Sequence, residues 1–272
     1  MPDATATAPP RLAATERAPL PASSRPPVVF LHGLGCERGQ YIRQWHGLNP
    51  ELWLLSLDLP GHGDSPRSPT GTYTVRSMTD AVAGELRGRG LKGVVLVGHS
   101  AGGLIALNLA LTSPDLVGGI VALDTTIVLT AEHRQQNRRR AAESEKGDWR
   151  QYHMASMRDS WGPDGDDPLR VQVLSTLERT PEHVVRPFWH DILAFDPENA
   201  CRRCPVPMLY VRSRRDTDLE ILRSLNPLIS VEDLRPHCQG HWPHLQCPGP
   251  VNDILQEFVA GLSEDARWIS QS

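Results

Sequence analysis

The sequence predicts a doubly wound, mostly parallel α/β sheet carrying a helical insertion. Three observations lead there. Short apolar runs rich in β-branched residues recur along the chain and read as strands buried on both faces. Helical patterns separate these runs, which implies parallel neighbours. One interval, residues 127–200, holds no convincing strand but carries Trp149, Trp161 and Trp189 among charged, helix-prone stretches.

The first run is Val28–His32 (VVFLH), followed by Leu52–Leu57, Val94–Gly98, Gly119–Leu123 and Met208–Val211. About six parallel strands are expected from this rhythm. Among the helices, Thr79–Arg89 sets Ala81, Val82 and Leu86 between polar residues and stops at Gly90. Ala101–Leu111 (AGGLIALNLAL) is almost wholly apolar, so it should be deeply packed. Val251–Leu262 repeats apolar residues at 251, 254, 255, 258, 259 and 262, a stripe at helical spacing. The core is therefore expected at residues 26–126 and 201–265, with 127–200 as a helical cap over the C-terminal edge of the strands. The alternative is that these helices pack on the side of the sheet. Residues 1–25 are rich in Ala and Pro and lack the apolar segment of a secretory signal; they read as a disordered tail, and a cytoplasmic location is expected.

Bulk properties exclude several function classes. The chain has 272 residues, 39% hydrophobic, enough for a large core. A formal net charge of −4 does not provide the basic excess of a nucleic-acid binder. The one basic run, HRQQNRRR ending at Arg140, reads as a solvated helix face, the alternative being a phosphate or acidic-partner site. No stretch approaches the roughly 18 apolar residues of a membrane helix, so no membrane partner is expected. Five cysteines, an odd number, argue against a disulfide framework. Cys201-x-x-Cys204 has the look of half a zinc knuckle, but Cys238 and Cys247 have the wrong spacing for the other half. It reads as a loop entering a strand, and no metal or cofactor is expected.

The chemistry is concentrated at Gly98-His99-Ser100-Ala101-Gly102. It follows a strand and opens a helix, the context that a G-x-S-x-G nucleophile elbow requires. Flanking glycines leave room for the neighbouring strand and helix, and the helix N-terminus favours developing negative charge. Three further stretches accompany it: His32-Gly33-Leu34-Gly35 after the first strand, Asp58-Leu59-Pro60-Gly61-His62-Gly63-Asp64-Ser65, and Gly240-His241-Trp242-Pro243-His244-Leu245. Together these resemble the serine-nucleophile branch of the α/β-hydrolase superfamily over roughly residues 28–262.

The resemblance implies Ser100 as nucleophile and His241 as its base, in the family's chain order of Ser, acid, His. It implies an oxyanion hole made by the amides of Leu34 and Ala101. His32 is expected to support that loop and to lie at the substrate, His99 to be a packing residue, and His244 to lie at the surface or behind the site. For the acid, Asp216 after the strand Met208–Val211 is the first candidate. Ser213-Arg214-Arg215-Asp216 departs from the family's G-x-x-D by its serine and lacks the usual following proline. Asp124, after the preceding sheet strand, is the alternative acid, and Asp218 is a near neighbour of Asp216. The family also has more strands before the HG strand, so a shorter sheet is expected at that edge.

The implied activity is hydrolysis of an ester, lactone or related acyl bond through an acyl-enzyme. Trp161 and Trp189 suggest a small apolar or aromatic substrate, the alternative being that they are cap core. Serine at position 100 excludes epoxide hydrolases and haloalkane dehalogenases, which need a carboxylate there. Carbon–carbon bond hydrolases, lactonases, thioesterases and cofactor-free haloperoxidases share the constellation. So do cofactor-independent ring-cleaving dioxygenases, which resemble the Asp124 arrangement. A non-catalytic ligand receptor on the same scaffold is the rival outside catalysis.

Overall fold

The computed structural model describes residues 11–19, 25–127, 130–162 and 167–269, with side chains described as far as residue 262. Its strands are β1 (Ala14–Arg17), β2 (Val28–Leu31), β3 (Leu54–Leu57), β4 (Val94–His99), β5 (Val117–Leu123), β6 (Met208–Arg212) and β7 (Ile229–Asp233). They form one sheet in the order β1-β3-β2-β4-β5-β6-β7. Every pairing is parallel except that of β1 with β3.

Helices α1 (Ile42–Gly47), α2 (Val75–Gly88) and α3 (Ala101–Thr112) connect the first strands. Between β5 and β6 stand α4 (Ala131–Ser144), α5 (Trp149–Trp161), α6 (Pro168–Arg179), α7 (Glu182–Ala194) and α8 (Pro197–Arg202). The chain closes with α9 (Leu219–Ser224), α10 (Pro243–Gln246) and α11 (Pro248–Ile269).

Strand alternation builds a core on each face of the sheet. Val29, Leu31, Leu96, Ile120 and Met208 pack with Met78 and Val82 of α2 and Leu104 of α3 on one face. Val28, Phe30, Val97, Val121 and Leu209 pack with Val251, Leu255 and Val259 of α11 on the other. Helix α3 has nine buried residues, as its apolar sequence demands. Thr74 caps α2 by accepting from the Ser77 amide, and the Ser77 hydroxyl accepts from the Thr74 amide in return.

The N-terminal reading needs correction. Residues 1–10 and 20–24 of the expected disordered tail lie outside the described residues, but between them β1 pairs antiparallel with β3. Leu12 is buried and its amide donates to Glu85 Oε2 at 3.1 Å. The Arg17 guanidinium donates to the carbonyls of Trp45, Leu48 and Asn49. Composition averages over such anchors and so misses a short edge strand. The sheet thus gains a strand outside β3, where a shorter edge was expected. Strand β7 was likewise not legible, because its residues alternate between buried and more exposed positions and form no continuous apolar run.

Candidate active site

The site begins with strand register. His99 at the end of β4 pairs with Leu123 at the end of β5. The next residue on each strand, Ser100 and Asp124, has a positive φ, 52° and 44°; among the described residues no other non-glycine does. Such backbone costs on the order of 1–3 kcal/mol and persists only when the surroundings enforce it. Here the Ser100 amide donates to the Leu123 carbonyl at 2.9 Å and the Asp124 amide to the Val211 carbonyl at 2.8 Å. The elbow also needs its glycines. A Cβ on Gly98 would lie 2.4 Å from the Gly102 carbonyl carbon, and one on Gly102 would lie 2.1 Å from the Leu31 oxygen. Ser100 is thereby lifted to the N-cap of α3, beside amides with no partner inside the helix.

The carboxylate facing His241 is Asp124. Its Oδ2 lies 2.6 Å from His241 Nδ1, which donates to it. Its Oδ1 accepts from the amides of Ser213, Arg214 and Arg215 at 2.8–2.9 Å. Asp216, the first candidate, is exposed one residue beyond those amides and does not reach His241. Asp218 caps α9, accepting from the amides of Glu220 and Ile221. The loop that resembles the family's acid loop therefore cradles a carboxylate from the neighbouring strand instead of presenting its own.

The His241 loop is clamped on several sides. Its amide donates to the Ser160 carbonyl at 2.9 Å, and the Ser213 hydroxyl donates to the Gly240 carbonyl at 2.7 Å. His99 Nε2 donates to the His241 carbonyl at 2.7 Å. The His99 ring lies 4.6 Å from that of His241 and 4.7 Å from that of His244, which stacks on Tyr41 at 4.8 Å. His244 is accordingly buried behind the site, not at the surface.

Ser100, His241, Leu34 and Gly33 line one inner cavity of about 70 Å³ under α4, α5 and α7. An outer groove of about 550 Å³, sharing His241 and Ser160 with it, opens toward solvent. A Cβ on Gly33 would lie 3.1 Å from the Ser100 Cβ, so the HGLG backbone rests directly against the serine. The amides of Leu34 and Ala101 have no hydrogen-bond partner among the described residues. The inserted helices thus cover the C-terminal ends of the strands.

Comparison with known proteins decides the family. The model of the alpha/beta hydrolase family matches residues 28–254. This chain belongs to the α/β-hydrolase family. It is similar to an esterase of Mycobacterium tuberculosis, 38% identical over 120 residues, covering 41% of this chain and 39% of the relative. It is also similar to an sn-1-specific diacylglycerol lipase of Danio rerio, 36% identical over 114 residues, covering 39% of this chain and 34% of the relative. The chain thus spans well under half the length of these curated relatives. A thermophilic esterase from Thermogutta terrifontis superposes with a TM-score of 0.75 at 21% identity, over 93% of this chain and 94% of that one, and the likeness concerns the fold.

Other expected residues of this α/β-hydrolase lie elsewhere. His32 is buried, with Nδ1 donating to the Gly33 carbonyl at 2.8 Å and Nε2 accepting from the Leu59 amide at 3.0 Å. It braces the HGLG loop and does not line the cavity. Trp161 is 1% exposed and packs against Trp242 at 5.4 Å, so it is core and not a substrate contact. Trp189 does line the inner cavity. The DLPGHGDS turn is structural: Asp58 accepts from the Asp64 and Arg38 amides and pairs with the Arg38 guanidinium.

Arg215 was missed. Its Nη2 lies 3.4 Å from His241 Nε2, a weak contact at that length, and its Nε lies 3.9 Å from Asp124 Oδ2. The sequence reading gave it no role beyond a place in the Ser213-Arg214-Arg215-Asp216 stretch. Burial lowers the His241 pKa and the Arg215 charge lowers it further, against the raising pull of Asp124. Burial pushes Asp124 upward, but the hydrogen bond and charge of His241 and the charge of Arg215 outweigh it, so its pKa falls below the ordinary carboxylate value. His241 is therefore neutral and Asp124 ionised at neutral pH.

Proposed function

We propose that this chain is a serine hydrolase that cleaves an ester, lactone or related acyl bond through an acyl-enzyme. The observation that carries the reading is that His241, hydrogen-bonded from behind by the buried Asp124, lines the same inner cavity as Ser100. With Nδ1 donating to Asp124, the neutral imidazole carries its lone pair on Nε2, the atom that can take a proton.

In this mechanism Ser100 Oγ attacks the carbonyl carbon and His241 Nε2 takes its proton. The carbonyl oxygen becomes an oxyanion, met by the amides of Leu34 and Ala101. Collapse breaks the acyl bond, and the imidazolium gives its proton to the leaving oxygen. Water then repeats the sequence on the acyl-enzyme and releases the acid and free Ser100. Each oxyanion donor contributes about 3–4 kcal/mol to lowering the barrier. Similarity to an esterase and a lipase supports the acyl class of substrate. Trp189 supports a partly apolar acyl group.

The test is labelling with a fluorophosphonate probe, followed by p-nitrophenyl esters of increasing chain length. Wild-type protein is expected to label and turn over, and Ser100→Ala to do neither. Full turnover by Ser100→Ala would refute the nucleophile.

The position of the acid favours a second reading, cofactor-independent ring cleavage by dioxygen. In that chemistry the His241–Asp124 pair deprotonates the substrate, and Asp124 follows β5 as this arrangement requires. Oxygen uptake with candidate heterocycles, undiminished in Ser100→Ala, would replace the hydrolytic reading.

A further inference from the structure

The inner cavity presents two cations and, among its described lining residues, no carboxylate. Arg140 of α4 and Arg215 line both the inner cavity and the outer groove, so they stand at the neck between them. The carboxylates nearby, Asp159 and Asp216, line only the outer groove, together with Arg214 and His133.

Neither neck arginine is fully engaged. Arg140 has no hydrogen bond or ion pair among the described residues, whereas Arg134 on the same helix pairs with Glu198 at 3.2 Å. The Arg215 Nε is buried without a hydrogen-bond partner. Its nearest carboxylate, Asp124, is 3.9 Å away and is already filled by three amides and His241. Asn137, buried and lining both spaces, adds an uncharged polar group beside them. Guanidinium donors left unfilled at the mouth of a narrow cavity can hold a carboxylate, because the planar fork matches its two oxygens.

We propose that this neck is a carboxylate subsite. The substrate is an ester or lactone bearing a free carboxylate a few bonds from its scissile carbonyl, held by Arg140 and Arg215. This rests on the acyl-transfer reading above and narrows its substrate class. It also gives Arg215 a second task. Its Nη2 leans on His241 Nε2, the atom that must accept the serine proton. A substrate carboxylate draws the guanidinium away and frees that lone pair, so a correctly charged substrate completes the base. A neutral ester leaves Arg215 where it is.

The experiment uses the full chain carrying Ser100→Ala, which binds without turnover. Affinities for monomethyl succinate, glutarate and adipate are measured by calorimetry against methyl butanoate and methyl hexanoate. At least one acid ester is expected to bind about 10- to 100-fold more tightly than its neutral counterpart, the range for hydrogen bonds to a charged group. Adding Arg140→Gln or Arg215→Gln is expected to remove most of that preference. Equal affinity for charged and neutral esters overturns the subsite, and this comparison stands however the arginine variants fold. A preference unchanged in both variants overturns it as well. Fluorophosphonate labelling of wild-type protein is run alongside. Labelling without a charge preference sinks the subsite and leaves the hydrolase reading; a charge preference without labelling sinks the nucleophile instead.

Discussion

His241 Nδ1 lies 2.6 Å from Asp124 Oδ2, while Asp124 Oδ1 is held by three consecutive backbone amides. The carboxylate can neither rotate nor exchange partners, so the imidazole is fixed in one tautomer. Asp124→Asn keeps the shape but can turn an N–H donor toward Nδ1, which favours the wrong tautomer. We expect ester kcat to fall about 10²- to 10⁴-fold. Asp216→Asn changes an exposed residue and is expected to alter kcat by less than about threefold. Steady-state kinetics on both variants checks this, and the reverse order of losses would remove Asp124 from the base.

The elbow makes a claim about stability. Gly102→Ala would set a Cβ 2.1 Å from the Leu31 oxygen, a contact only backbone movement can relieve. A destabilisation of about 2 kcal/mol or more is expected. Gly84, within α2, has nothing within 4 Å of a built Cβ, and Gly84→Ala should stabilise by about 0.4–1 kcal/mol. Denaturant midpoints of the two variants should move in opposite directions.

Two tryptophans separate packing from recognition. Trp161→Ala empties a buried contact with Trp242 and is expected to cost about 3–5 kcal/mol of stability. Trp189→Ala alters the cavity wall and is expected to raise KM for longer acyl chains with a smaller loss of melting temperature. Melting curves beside KM values across a chain-length series would reveal a swapped assignment.

Buried histidines set an acid limit. Burial holds His32 and His153 down to about 4 and His62 and His244 down to about 3. In the unfolded chain each takes up a proton below about pH 6.5, while the folded protein refuses it. Stability is complete above that pH and falls as the pH drops from there toward the folded values. Each histidine contributes about 1.4 kcal/mol per pH unit within that window. The melting temperature should therefore drop between about pH 7 and pH 5, above the range where Asp124 loses its proton. A flat melting temperature over that interval would contradict these buried neutral states.

Legibility followed the range of the interactions involved. The elbow is local: strand, Gly-x-Ser-x-Gly and helix are contiguous, so the place of Ser100 at a strand-to-helix turn was readable. His241 was readable from its own stretch. The carboxylate that pairs with His241 was not, because Asp124 and Asp216 both follow strands. What decides between them is the register of β4 against β5 and three amides 89 to 91 residues downstream of Asp124. Trp161 and Trp189 likewise look alike in sequence, and only helix packing turns one into the core and the other onto the cavity. Arg215 meets His241 through a similarly long-range contact, so nothing adjacent to it in sequence marks it.

The Arg215–His241 contact can be read through pH. The free-enzyme acid limb of kcat/KM reports the protonation of His241. Burial lowers that pKa from the ordinary value of 6.5, the Arg215 charge lowers it further, and the hydrogen bond to Asp124 raises it. The limb should therefore lie below about pH 6.5 in the wild type. Arg215→Gln removes a neighbouring positive charge, so the imidazolium becomes easier to form and the limb moves to higher pH. Asp124→Asn removes the raising partner, so in its residual activity the limb moves to lower pH. The two shifts have opposite signs because the two residues act on the same ring with opposite charges. A neutral p-nitrophenyl ester is the substrate of choice, since its own ionisation cannot distort the profile. A limb that stays fixed in Arg215→Gln would mean that the guanidinium does not act on the base, and its place at the neck would then have to be explained by substrate contact alone.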